Sequence, residues 1–152
     1  APLYDKGLAV ARIAAARAAL DAEGGGVLLV GRCEAFLVGK PDLAFVIDRL
    51  TAYAEAGAEC LYAPGLRTRE EIAAVIKALA PKPVNVLMGA PGLSVAELAD
   101  LGVRRISTGG ALARVAWAGF LRAARAIAED GRFDGLAAAV PHAEINGLFP
   151  GA

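Results

Sequence analysis

The chain has 152 residues, 57% of them hydrophobic, with sixteen basic side chains balanced by sixteen acidic ones. That length suits one domain with a sizeable core, and the charge balance argues against nucleic-acid or membrane-surface partners. The two cysteines give neither a disulfide framework nor metal spacing, and no apolar stretch reaches the roughly 18–20 residues that span a bilayer, so a cytoplasmic protein is expected.

The first helix is predicted over Asp5–Glu23, with Val10, Ile13 and Leu20 on its apolar face and Gly24-Gly25-Gly26 ending it. A strand follows at Val27–Val30. A run this apolar reads as a strand buried on both faces, as in a parallel sheet. Arg32 and Glu34 lie just beyond it, two residues apart, and so share a face. Cys33, between them, points the other way and reads as buried and inert. Ligands of parallel α/β proteins bind at the carboxyl ends of the strands. An arginine there offers a planar fork of donors suited to a carboxylate or phosphate. The plainer reading is an arginine paired with Glu34 or another carboxylate.

Pro41-Asp42 opens the next helix, whose stripe of Leu43, Val46, Ile47, Leu50 and Ala54 has the spacing of one buried face, and Gly57 closes it. A second strand is predicted at Cys60–Ala63, with Tyr62 in the core or wall. Thr68 and Glu71 form a capping box ahead of Ile72, Val75, Ile76 and Leu79. The third strand, Val84–Leu87, contains Asn85, a polar residue in an apolar run that needs a buried partner, either a ligand or the barrel interior. Ser94 and Glu97 make a second capping box, and the fourth strand is predicted at Val103–Ser107. Ser107-Thr108-Gly109-Gly110 then reads either as a helix cap with a tight turn or as a backbone phosphate cradle. A long helix is predicted from Ala111 to Glu129, with Trp117 and Phe120 as packing residues. One or two short helices follow over Phe133–Phe149, and the lone His142 there suits a surface or interface.

Four strands alternating with helices imply parallel βα units. A complete (β/α)₈ barrel takes roughly 200–250 residues, so the chain supplies about half of one. Either it is a small open sheet, or it is half of a barrel. No strand is followed by a dinucleotide glycine fingerprint or a Walker loop, which weakens the open-sheet nucleotide binder.

The run Val30-Gly31-Arg32-Cys33-Glu34-Ala35 resembles the fifth-strand motif of the phosphoenolpyruvate mutase/isocitrate lyase superfamily. The similarity continues through Ala52–Glu59 and Leu61-Tyr62-Ala63-Pro64-Gly65, then through Lys82–Leu87 to Leu98–Ser107. Pro2-Leu3-Tyr4-Asp5 is similar to the chain just after the fourth-strand acidic motif. The resemblance implies an α/β fold in which residues 1–152 form a single segment: strands five to eight of a TIM barrel plus the C-terminal helices. It implies a lyase or phosphonomutase-like enzyme acting on a small 2-oxo or 2-hydroxy carboxylic acid through an enolate-like intermediate held by Mg²⁺. Arg32 and Asn85 would bind the substrate, Glu34 would orient Arg32, and no metal ligand would lie in this chain, the Mg²⁺ ligands being expected on the other barrel half. Ala63-Pro64-Gly65 stands where the mutases tend to have histidine and the methylisocitrate lyases glutamate, which points to a different branch. A homo-oligomer is expected, and the isolated segment should be inactive. The alternative from another class is a non-catalytic α/β half-barrel that binds an anion or only self-associates.

Overall fold

The computed structural model describes residues 3–40 and 42–149; Pro2 and Pro41, used above, lie outside the described residues. The chain divides into two compact units, Ala1–Gly109 and Gly110–Ala152.

In the first unit, α1 (Lys6–Glu23) starts where the Asp5 carboxylate accepts the Gly7 N–H at 2.8 Å. It stops at Gly24, whose φ of 66° is left-handed. Then β1 (Val30–Arg32), α2 (Leu43–Glu55), β2 (Cys60–Tyr62), α3 (Arg69–Leu79), β3 (Val84–Leu87), α4 (Val95–Asp100) and β4 (Arg105–Ser107) alternate. Both capping boxes form as the sequence predicts, Thr68 with Glu71 and Ser94 with Glu97.

All four strands are parallel, in the order β1-β2-β3-β4. The core lies on one side of this sheet only. Leu61, Val84 and Val86 on the strands cluster with Leu50 of α2, Val75 of α3 and Leu98 of α4. A doubly wound sheet would reverse its strand order and carry helices on both faces. Sequential order with helices on one face is the barrel arrangement. The unit is therefore half of a (β/α)₈ barrel, and not an open nucleotide-binding sheet.

Three strands differ in extent from expectation, β2 only in ending at Tyr62 and not at Ala63. β1 begins at Val30, so Arg32 lies within the strand, while Val27 and Leu28 are 56% and 69% exposed. The reason is partnership. The Glu59 carboxylate takes the Leu29 N–H at 2.9 Å, and the ladder with β2 starts immediately after, at Val30↔Cys60. Upstream of that point no described strand lies alongside, so an apolar run alone does not make a ladder. At β4, Val103 is buried as expected, but its N–H bonds the Leu98 carbonyl at 3.0 Å and so belongs to the end of α4.

The second unit holds α5 (Ala111–Asp130), a short 3₁₀ helix at Asp134–Ala138 and α6 (His142–Gly147). No residue of α5 is buried. Trp117 and Phe120 are not core packing residues. Each is 59% exposed, and they meet edge to face at a centroid distance of 5.2 Å. With Ala113 and Ala116 they line a shallow apolar hollow of about 330 Å³.

Candidate functional site

Strand register places Arg32, Tyr62, Asn85 and Arg105 in one row across the sheet. Paired residues of neighbouring parallel strands project to the same face. That face is opposite the one carrying Leu61, Val84 and Val86, which pack against the helices. The row therefore points where the axis of a closed barrel would run.

Arg32 ends β1 with its guanidinium 4.9 Å from the centroid of the Tyr62 ring, inside the range of a cation–π contact. Its Nε forms an ion pair with Oε1 of Glu34. Glu34 is already outside the strand. Cys33 adds one more ladder bond, from its N–H to the Tyr62 carbonyl at 2.9 Å. Glu34 then turns the chain, at φ −84° and ψ 5°, into the 3₁₀ helix Ala35–Val38. Both charged side chains stay part exposed, at 48% and 39%, so the pair is reachable from solvent.

Asn85 is 1% exposed. Its Nδ2 donates to Ser107 Oγ at 3.0 Å, while its Oδ1 has no partner among the described residues. A buried acceptor left unpaired costs free energy, and such atoms are uncommon in folded proteins. Arg32 and Asn85 are thus brought onto one face two strands apart, roughly 10 Å at the ~4.8 Å spacing of neighbouring strands.

Two further residues join the row. Tyr62, expected only as core or wall, is the platform for Arg32. Arg105 was hidden in the run Val103-Arg104-Arg105-Ile106, where only register shows which arginine faces inward. Burial pushes the Cys60 thiol up, an effect opposed by the Arg105 guanidinium, and burial likewise raises Cys33. Both cysteines are free and hold their protons at neutral pH, so neither presents a thiolate nucleophile. His142 begins α6, and among the described residues no group of three or more His, Cys, Asp or Glu side chains could hold a metal ion.

The donors on this face are two guanidiniums, an amide, a phenol and a hydroxyl. The carboxylate beside them, Glu34, is engaged by Arg32. Magnesium takes hard oxygen ligands, usually including one or two carboxylates. The set therefore suits an oxyanion and does not fit Mg²⁺.

Comparison with known proteins bears on the family and the fold. The sequence profile described as phosphoenolpyruvate phosphomutase matches residues 1–128. An uncharacterized protein of Mycobacterium tuberculosis (strain H37Rv) is 35% identical over 104 residues, 68% of this chain and 38% of that protein. A provisionally named lyase/mutase from Burkholderia cenocepacia J2315 superposes with a TM-score of 0.90 at 50% identity, covering 97% of this chain and 54% of the other. The structure of 2,3-dimethylmalate lyase, described as a phosphoenolpyruvate mutase/isocitrate lyase superfamily member, gives 0.82 at 27% identity over 96% of this chain and 53% of the other. Phosphonopyruvate hydrolase in complex with oxalate and Mg²⁺ gives 0.75 at 28% identity, over 96% and 52%. The chain thus spans about half the length of these solved relatives.

Proposed function

Because the chain belongs to the phosphoenolpyruvate phosphomutase family, we propose that it forms the carboxylate-binding wall of a lyase- or mutase-type enzyme acting on a small 2-oxo or 2-hydroxy acid. The four strands correspond to strands five to eight of the barrel, and residues 1–152 form its C-terminal half. Arg32 binds the substrate carboxylate, Asn85 offers its unpaired Oδ1 to a substrate hydroxyl, and Glu34 orients Arg32. The observation that carries this reading is the Arg32 guanidinium, held by Glu34 and Tyr62 at the carboxyl end of β1. The relative bound to oxalate and Mg²⁺ supports the same ligand chemistry. Any Mg²⁺ in the whole enzyme is expected on residues other than this row, because the donors on this face do not fit it.

The test is Arg32→Ala in the full-length protein. Oxalate binding measured by calorimetry should be lost while the circular dichroism spectrum is retained. Unchanged oxalate affinity would remove Arg32 from the site.

A second reading is a non-catalytic half-barrel that self-associates. The exposed Leu112, Val115, Trp117 and Phe120 of α5 favour it. A preceding barrel half bearing clustered acidic residues would decide for the enzyme.

A further inference from the structure

We propose that Tyr62 is a positioning residue for Arg32: its ring face fixes the plane of the guanidinium so that one edge remains for a planar carboxylate. The inference rests on the reading of Arg32 as the anion-binding group. Three observations carry it. Tyr62 is the register partner of Arg32 on β2, so the two side chains leave adjacent strands on the same face. The guanidinium carbon lies 4.9 Å from the ring centroid. Glu34 engages Nε.

Together these contacts engage the Nε edge and set the guanidinium over the Tyr62 ring. The Nη1–Nη2 edge is left, and its two parallel N–H groups match the two oxygens of a carboxylate. The ring itself is held firmly. Tyr62 is 9% exposed, and its backbone is locked in the ladder between β1 and β3. Arg32, by contrast, is a long, half-exposed side chain with rotamer freedom to lose on binding. A platform that orders it beforehand lowers the cost of capturing the anion. Tyr62 stands outside the helix-packed cluster, on the face that also carries Arg32, so its ring is available to the guanidinium.

The experiment uses the full-length protein with oxalate as probe. Arg32→Ala, Tyr62→Phe and Tyr62→Leu are titrated by calorimetry, and thermal melts report folding. Tyr62→Phe keeps the ring and should bind more tightly than Tyr62→Leu, any loss relative to the parent reporting the hydroxyl. Tyr62→Leu should bind about threefold to tenfold more weakly, the size of an exposed to partly desolvated cation–π contact. In case Tyr62→Leu fails to fold, phenylalanines bearing one, two and three ring fluorines at position 62 keep the shape and drain the ring face of negative charge. Affinity should then fall stepwise with each fluorine. Flat affinity across the fluorine series, with Arg32→Ala still abolishing binding, would overturn the role of Tyr62 and leave Arg32 in place. Oxalate binding untouched by Arg32→Ala would overturn the underlying reading instead.

Discussion

Asn85 gives Ser107 one hydrogen bond, at 3.0 Å, and keeps a second polar atom buried with no partner among the described residues. Turning the amide over merely exchanges which atom is orphaned. A residue that contributes so little to its own fold is better explained by what it offers a ligand. Asn85→Leu removes the orphan and keeps the number and branching of the side chain's heavy atoms, in a somewhat larger volume. The thermal midpoint should hold or rise, with a stability change within about 1 kcal/mol, because replacing an unsatisfied buried group by an apolar one is close to neutral. Affinity for oxalate in the full-length protein should drop about tenfold, the size of one lost hydrogen bond. A large loss of stability with intact binding would make Asn85 a structural residue.

Gly31 of β1 faces Tyr53 of α2 and Ala58 just beyond that helix. A Cβ there would lie 2.9 Å from the Ala58 Cβ and 3.1 Å from the Tyr53 Cβ. Gly31→Ala should cost about 1–3 kcal/mol, the usual range for overpacking. It should also disturb Arg32, the next residue along. Gly25→Ala, whose new Cβ would come no nearer than 3.9 Å to the Val27 side chain, is the control and should be neutral or slightly stabilising. Urea denaturation midpoints of the two variants give the comparison.

Arg49 is 5% exposed on α2, stacked against Phe45 and Tyr53, and its Nη2 donates to the Tyr4 carbonyl at 2.8 Å. It pins the segment before α1 onto the barrel wall. Arg49→Met should lose about 1–3 kcal/mol and expose the first turn of α1 to faster amide exchange. Lysine should not rescue it, because an ammonium cannot stack and reach with the same geometry. Equal protection of α1 in both proteins would refute the anchoring role.

The Glu71 carboxyl is held below its ordinary value of 4.5, first by the Arg67 backbone N–H and then by that of Thr68. Depression in the folded state means the contribution is fully present above the unfolded value and fades as pH falls through the lowered one. Glu71→Gln should therefore reduce stability at pH 7, and the difference from the parent should shrink on acidification below about 4.5. A pH-independent difference would place the effect in side-chain packing, not in charge.

The isolated chain should self-associate and show no lyase or mutase activity. β1 and β4 are both sheet edges, and edges with unpaired backbone groups invite pairing. The exposed Val27 and Leu28 beside β1, and the bare apolar side of α5, add to this. A monodisperse monomer by light scattering, melting cooperatively above about 60 °C, would contradict the expectation.

Helix ends and glycine stops were legible in the sequence because each rests on local chemistry, and the strand order followed from the alternating βα pattern and the family resemblance. Thr68 with Glu71 and Ser94 with Glu97 carry their own signature. Arg32 and Glu34 were found together because a two-residue spacing and a shared motif both point to them. What stayed hidden depends on neighbours far along the chain. Val27–Leu29 looks like the heart of a strand, and only the Glu59–Leu29 bond shows where pairing starts. Tyr62 and Arg105 acquire meaning through register with Arg32 and Asn85, a relation between strands that no window contains. Arg49 carries little local signature of an anchor, since an arginine on a helix is ordinarily solvent-facing. Aromatic residues four positions to either side, Phe45 and Tyr53, were the available signal.

Gly65, at φ 104°, leaves its missing Cβ only 2.7 Å from the Cβ of Phe36, so the loop after β2 and the turn after β1 interlock like adjacent teeth. Phe36 is two residues from Glu34. Loop grafting at this end of the barrel, a standard route to new substrate preference, would therefore fail if the two loops were exchanged one at a time. They form a single cassette, and a library that varies one should carry the other with it.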